Sequence, residues 1–166
     1  EILRPEEIVA GGHSLAPRFL RYCVAKSRQN LGLRCIDVYY LHNPEQQLGS
    51  VDEAELDVRL RAAVAVLEDA AGRKEIGVYG VATWDGLRSS ADSKAHLSLE
   101  RLTTIAHEVA GEMHKRSLDA GPPMERAPLL ERERGDHRQE RHVAGIAWHA
   151  GTRIGRFARS PRIVTS

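Results

Sequence analysis

Residues 36–44 read Ile-Asp-Val-Tyr-Tyr-Leu-His-Asn-Pro. β-Branched and aromatic side chains in a continuous apolar run predict a buried β-strand. The strand ends at His42, and the Asn43-Pro44 pair that follows favours a turn. A histidine at the carboxyl end of a buried strand lies where α/β folds place functional side chains, so His42 is a candidate catalytic residue. The alternative is a hydrogen-bonded imidazole at the edge of the core with a structural role only.

Strand and helix patterns alternate on both sides of this stretch. We predict strands at 7–11, 36–42 and 76–83, each followed by an amphipathic helix. The first helix is predicted to begin at Pro17, because the backbone N–H that proline lacks has no hydrogen-bond partner within the first turn of a helix. It is predicted to end at Gly32, a residue type common at helix C-termini. Strict alternation indicates a parallel sheet with helical crossovers. An open doubly wound sheet and a segment of a barrel fit this pattern equally well.

The starts of the second and third helices carry polar capping signals. Ser50 and Glu53 have the spacing of a capping box, which predicts the start of the second helix there. Ser98 is the predicted cap of the third helix, whose apolar stripe continues to Met113.

Two segments of this region resemble the aldo/keto reductases. They are residues 27–44, SRQNLGLRCIDVYYLHNP, and residues 67–84, LEDAAGRKEIGVYGVATW. In that family one strand delivers the active-site histidine, and a later strand ends in a Gly-Val-Ser-Asn-like motif that contacts the nicotinamide. Over about residues 5–113 the resemblance implies a partial (β/α)8 TIM barrel with about three parallel strand–helix units. It also implies a carbonyl or alcohol substrate in a complete parent and NADP(H) as the cofactor.

The resemblance assigns roles to three residues. His42 matches the histidine that positions and polarises the substrate carbonyl, where a hydrogen-bond donor stabilises developing negative charge. Ala82 and Thr83 replace the cofactor-binding Ser-Asn pair: Thr83 keeps a hydroxyl for the carboxamide, and Ala82 keeps only its backbone. The family lysine should fall near residues 11–13, where the sequence has none. The tyrosine acid and its supporting aspartate are expected upstream of Glu1.

A chain of 166 residues is shorter than the roughly 250 of a complete eight-stranded βα barrel. We therefore expect residues 1–114 to be an internal barrel fragment of a divergent branch, inactive as an isolated chain. Such a segment leaves open sheet edges, which favour self-association. The alternative reading is non-enzymatic: a barrel remnant or an interaction protein.

Residues 115–166 have a different character. They contain ten Arg and one Lys against six acidic residues and almost no hydrophobic periodicity except at 143–148. Nothing there matches the family's next strand. We expect an Arg/Gly/Pro-rich tail that is disordered or divergent, or that arises from out-of-frame reading of GC-rich DNA. A nucleic-acid-associated basic tail on an α/β scaffold is a lesser alternative.

The remaining composition adds few constraints. The net charge is +1, and the histidines of the tail are too loosely spaced for a standard zinc signature. Two cysteines without a secretory context predict buried thiols in a reducing, cytoplasmic compartment. The sequence has no transmembrane run and no signal peptide, so no membrane partner is expected.

Overall fold

A computed structural model describes residues 2–119, 145–148 and 163–165 of the chain. In chain order its helices and strands are α1 (Pro17–Leu31), β1 (Ile36–His42), α2 (Glu53–Gly72), β2 (Ile76–Ala82), α3 (Leu99–Asp119), β3 (Gly145–Trp148) and β4 (Ile163–Thr165). Short 3₁₀ turns lie at Pro5–Glu7 and Pro44–Gly49. The described residues therefore form a mixed α/β structure, as the alternation of patterns predicted.

The sheet has the strand order β3-β2-β1-β4. β1 and β2 are parallel neighbours, and the register that pairs Ile36 with Ile76 ends by pairing His42 with Ala82. β4 is parallel to β1, whereas β3 is antiparallel to β2. The predicted open edges of β1 and β2 are thus covered along part of their length.

The two faces of the sheet bury different side chains. Tyr39 and Leu41 of β1 lie in the large core that the sheet shares with α1, α2 and α3. Val38 and Tyr40 lie in a second, smaller cluster with Val78 and Ala82 of β2. Successive residues of a strand point to opposite faces. The face of Val38 and Tyr40 is therefore the face that the helices do not cover.

Close approach of the two central strands depends on one glycine. A Cβ atom added at Gly77 would lie 2.8 Å from the backbone oxygen of Asp37. Real Cβ atoms essentially never approach a backbone oxygen so closely. Gly77 therefore permits the close packing of β2 against β1 at this position.

The helix ends of α1 follow the sequence prediction, and the start of α2 does not. α1 begins at Pro17 and is capped by Gly32 in the left-handed region, with φ 64°. The N-cap of α2 is Asp52, whose Oδ1 accepts a hydrogen bond from the Glu55 amide at 2.8 Å, so the Ser50–Glu53 capping box was wrong. The Asp52 carboxylate caps a free backbone N–H of the first turn, as a serine side chain would, and it also lies near the positive end of the helix dipole. Ser98 caps the third helix as predicted.

The strand predicted at 7–11 does not form. Pro5–Glu7 is a 3₁₀ turn, and the only strand-like pairing of the segment is a single bridge between Val9 and His13. Ala10 and Gly11 have φ of 48° and 76°, which reverses the chain after Val9. Three apolar residues are too few to extend a strand beyond such a turn. Two of the three predicted parallel strand–helix units, those of β1 and β2, are present in residues 2–119.

The predicted tail contributes to the described structure at three places. α3 continues past the predicted boundary at 114 to Asp119, and β3 and β4 both lie within 115–166. β3 contains most of the apolar run at 143–148 and occupies an edge of the sheet rather than its centre. The rest of the predicted tail, including its loosely spaced histidines, lies outside the described residues.

Candidate functional site

The carboxyl ends of β1 and β2 meet and are joined by hydrogen bonds. The Asn43 amide donates to the carbonyl oxygen of Ala82 at 2.7 Å. The Trp84 amide in turn donates to Asn43 Oδ1 at 3.1 Å. Because parallel strands end at the same edge of a sheet, the residues that follow β1 and β2 form a single cluster. The ends of β1 and β2 thus converge at one edge of the sheet.

His42 is half-buried at the end of β1. Strand alternation places it on the face of Val38 and Tyr40, away from the helices. Its pairing partner in the register, Ala82, belongs to the same face. The position of His42 in the strand therefore lies on the face away from the helices.

His13 joins this cluster from the loop before α1. Its Nε2 donates to the carbonyl oxygen of His42 at 2.8 Å, and Gln47 Nε2 lies 2.7 Å from His13 Nδ1. Arg59 Nη1 donates to Gln47 Oε1 at 2.7 Å. A guanidinium can only donate, so this contact fixes the orientation of the Gln47 amide. His13 lies in the region where the resemblance would place the family lysine, and a hydrogen-bonded loop histidine was the safer interpretation of it.

These hydrogen bonds determine the protonation state of His13. The His42 carbonyl requires a hydrogen on Nε2, and the Gln47 amide nitrogen requires a lone pair on Nδ1. The ring is therefore the neutral Nε2–H tautomer. Burial lowers the pKa of His13, and the nearby His42 side chain acts in the same direction. The bond to the His42 carbonyl and the charge of Glu45 act against this lowering but do not reverse it.

Thr83 and Glu45 form a second connection between the two strand ends. The Thr83 hydroxyl donates to Glu45 Oε1, and the Gly86 amide donates to Thr83 Oγ1 at 2.8 Å. A Cβ at Gly86 would lie 2.8 Å from that oxygen, so glycine allows the amide to approach. The Asp85 amide lies 3.5 Å from Glu45 Oε1 and adds a weak contact. Glu45 is buried, although it is a charged residue directly after a strand-terminating proline.

The two residues predicted to bind cofactor differ in what they still offer. Ala82 is buried with its methyl group among apolar neighbours, and its carbonyl already accepts from Asn43. The single hydroxyl hydrogen of Thr83 is used by Glu45. A hydroxyl oxygen has two lone pairs. Thr83 therefore retains one acceptor position and no donor.

Asn43 holds the turn in a strained conformation. Its φ of 45° and ψ of 54° lie in the left-handed region, which is unfavourable for a residue that precedes proline. Such conformations cost about 1–3 kcal/mol and persist only where surrounding contacts enforce them. Here the Asn43 amide, carbonyl and side chain all form hydrogen bonds, the carbonyl with the Gln46 amide at 3.0 Å. Strain of this kind concentrates at functional sites.

Trp84 lies at the outer edge of the cluster and is 69% exposed. Its carbonyl oxygen accepts from Arg88 Nε at 2.8 Å. The residue is thus largely presented to solvent rather than packed beneath the loop to Arg88.

Neither a metal site nor a membrane span is found in the described part of the chain. No group of three or more His, Cys, Asp or Glu side chains there could hold a metal ion. None of the described helices combines the length and the apolar character that a bilayer crossing requires.

Comparisons with known proteins return no neighbour for this chain. Neither a protein-family model, nor a curated protein, nor a solved structure matches it. The resemblance to the aldo/keto reductases therefore depends on residues 27–44 and 67–84 alone.

Proposed function

We propose that this chain is part of an aldo/keto-reductase-like barrel whose complete parent interconverts a carbonyl and an alcohol with NADP(H). The observation that carries the proposal is the position of His42. It lies at the carboxyl end of a parallel strand, on the face away from the helices, beside the end of the neighbouring strand. In a βα barrel that face is the interior and that end carries the active site.

In this proposal β1 and β2 are adjacent strands of a partial (β/α)8 barrel, and α1 and α2 belong to its outer layer. His42 would donate to the carbonyl oxygen as hydride arrives, and the backbone of Ala82 and the free lone pair of Thr83 would face the carboxamide. The cofactor is inherited from the family resemblance. The cytoplasm is the compartment proposed for the protein, because both cysteines are free thiols, although Cys23 is half-buried and Cys35 exposed rather than buried as predicted.

The isolated chain is proposed to be inactive. The family's tyrosine acid, its aspartate and its lysine have no counterparts at the expected places, and positioned acid–base groups contribute about 10²- to 10⁴-fold each. We expect the 166-residue chain to consume no NADPH above the blank with p-nitrobenzaldehyde. Turnover that disappears in His42→Ala would contradict this and would mean that the chain contains its own acid.

The parent's activity is tested by extending the chain. Flanking DNA read in three frames should supply an upstream segment with the Asp and Tyr and a downstream strand with a glutamine for the carboxamide. The extended protein should reduce the aldehyde, and His42→Ala should abolish this while His107→Ala, an exposed position on α3, should not. If the extension restores neither segment nor activity, the oxidoreductase proposal fails.

One observation favours a second candidate, a non-enzymatic remnant or interaction protein. Thr83 uses its only hydroxyl hydrogen within the protein, and Ala82 has no polar side chain. A strand end that has lost both donors of the Ser-Asn pair binds a carboxamide oxygen less well. An extended protein that folds and binds no NADPH would support this candidate.

A further inference from the structure

Only one of the two carboxylate oxygens of Glu45 has a hydrogen-bond partner among the described residues. Oε1 accepts from the Thr83 hydroxyl, whereas Oε2 is buried without a hydrogen-bond partner. The whole residue is only 8% exposed, and none of the ion pairs among the described residues includes it. A buried carboxylate oxygen without a partner is costly, and most such groups in folded proteins are satisfied. Oε2 therefore needs an explanation.

The Thr83 hydroxyl and the Nε2–H of His13, two donors at these strand ends, are already engaged in hydrogen bonds. Thr83 donates its only hydroxyl hydrogen to Glu45 and keeps an acceptor position. The Nε2 hydrogen of His13 is taken by the His42 carbonyl. Asn43 Oδ1 accepts one hydrogen bond and has capacity for another. Three oxygens from the ends of β1 and β2 can thus accept a further hydrogen bond. A group that complements them must carry several N–H or O–H donors.

The charge of Glu45 and the exposed aromatic ring of Trp84 favour a cation as the ligand that carries these donors. Glu45 brings a carboxylate, and the exposed Trp84 belongs to the Thr83–Gly86 turn, whose Asp85 amide contacts Glu45. Aromatic faces attract cations, and a buried carboxylate is stabilised by a hydrogen-bonded positive charge. We propose that the ends of β1 and β2 form a binding site for a primary ammonium group of a small organic molecule, with Glu45 Oε2 as its main acceptor.

Binding requires a small opening of the site. Oε2 lies beneath the surface, so an ammonium group must displace a neighbouring side chain to reach it. The turn from Thr83 to Gly86 contacts this carboxylate at Oε1, and its Asp85 contact is already long at 3.5 Å. The inference does not depend on the oxidoreductase proposal, because it uses only the acceptors and charge of this cluster.

The test uses the complete 166-residue chain, ¹⁵N-labelled and titrated with n-butylammonium chloride. n-Butanol, which has the same alkyl chain without the charge, and sodium chloride are the ligand controls. We expect saturable amide shifts centred on Asn43, Thr83 and Gly86 with butylammonium only. Glu45→Gln should weaken the affinity by at least about tenfold, because a hydrogen bond to a charged group is lost. Asp85→Asn removes a neighbouring exposed carboxylate and should leave the affinity within about twofold.

Several results would overturn the proposal. These are an absence of saturable shifts in the folded chain, equal shifts with n-butanol, shifts centred away from the three amides, or equal affinity in Glu45→Gln. If circular dichroism shows that Glu45→Gln does not fold, Trp84→Ala replaces it as the informative variant. An exposed indole can be removed without loss of core packing, and its loss should reduce butylammonium affinity severalfold. Unchanged affinity in Trp84→Ala would then count against the site.

Discussion

Gln47→Glu should reverse the pH dependence that His13 gives to stability. In the wild-type chain the Gln47 amide donates to His13 Nδ1 and holds the ring neutral. A glutamate of the same size would accept there instead, while still accepting from Arg59. The imidazolium form of His13 would then have a partner at each nitrogen. The neighbouring charges of His42, Glu45 and Glu55 are the same in both proteins.

The sign follows from the position of the pKa in each folded state. In the wild type the pKa of His13 lies below its ordinary value of 6.5, so the unfolded chain takes up the proton first as the pH falls. His13 therefore contributes stability that is present above pH 6.5 and is lost as the pH falls toward the folded pKa. In Gln47→Glu we expect the folded pKa of His13 to be raised instead, so that its contribution is present below pH 6.5 and is lost as the pH rises. One proton limits either slope to about 1.4 kcal/mol per pH unit.

Two measurements check this prediction. Urea unfolding between pH 5 and about 8 gives the slopes, and ring-nitrogen NMR of His13 gives the tautomer and the titration directly. The matched control is Gln46→Glu, which adds the same charge one residue away at an exposed position and should keep the wild-type slope. The chain has eight histidines, so each variant is compared with the wild type rather than judged alone. An Nδ1–H tautomer in the wild type, or a wild-type slope in Gln47→Glu, would refute the reasoning.

Two further variants test how the sheet is built. Tyr79→Phe removes the hydroxyl that donates to the buried Glu68 carboxylate, and it should lower the free energy of unfolding in urea by about 1–3 kcal/mol. The double variant Tyr79→Phe/Glu68→Met should recover much of this loss, because both partners are then apolar. Equal losses in the single and double variants would contradict the role of the pair. Gly77→Ala should lower the free energy of unfolding by about 1–3 kcal/mol, because its Cβ would meet the Asp37 backbone oxygen. The control Gly72→Ala, at the end of α2 with open space around it, should not destabilise the chain. A neutral Gly77→Ala would mean that β1 and β2 can separate without cost.

The elements that the sequence predicted well are those whose cause is local. Pro17 and Gly32 act through their own backbone geometry, and the apolar runs of β1 and β2 are long enough to be unambiguous. The strand at 7–11 was wrong because a reversal at Ala10 and Gly11 outweighed three apolar residues. Asp52 was missed as the cap of α2 because Ser50 offers the same signal two residues earlier. Whether Ser50 or Asp52 caps the helix depends on how the chain leaves the preceding 3₁₀ turn.

The candidate site shows a different limit. His42 could be recognised at a strand end, but its neighbours come from distant parts of the sequence. His13 and Gln47 are 34 residues apart, and Glu45 and Thr83 are 38 apart. No periodicity or spacing rule connects such pairs. Only the signal of a charged residue directly after Pro44 pointed toward Glu45, and a charge in a turn is usually solvated.

This limit changes what can be transferred by resemblance. The proposed resemblance would place Thr83 at the family's cofactor-binding position, where its residue type suggests a donor for the carboxamide oxygen. Glu45 takes that hydrogen, and the Gly86 amide occupies one lone pair. The hydroxyl that remains can accept only, so a carboxamide at this position would have to present its N–H rather than its oxygen. The chemical role of a matched residue is thus set by the partners of its hydrogen atoms. In this chain Glu45, 38 positions away from Thr83, accepts the hydroxyl hydrogen and leaves Thr83 as an acceptor.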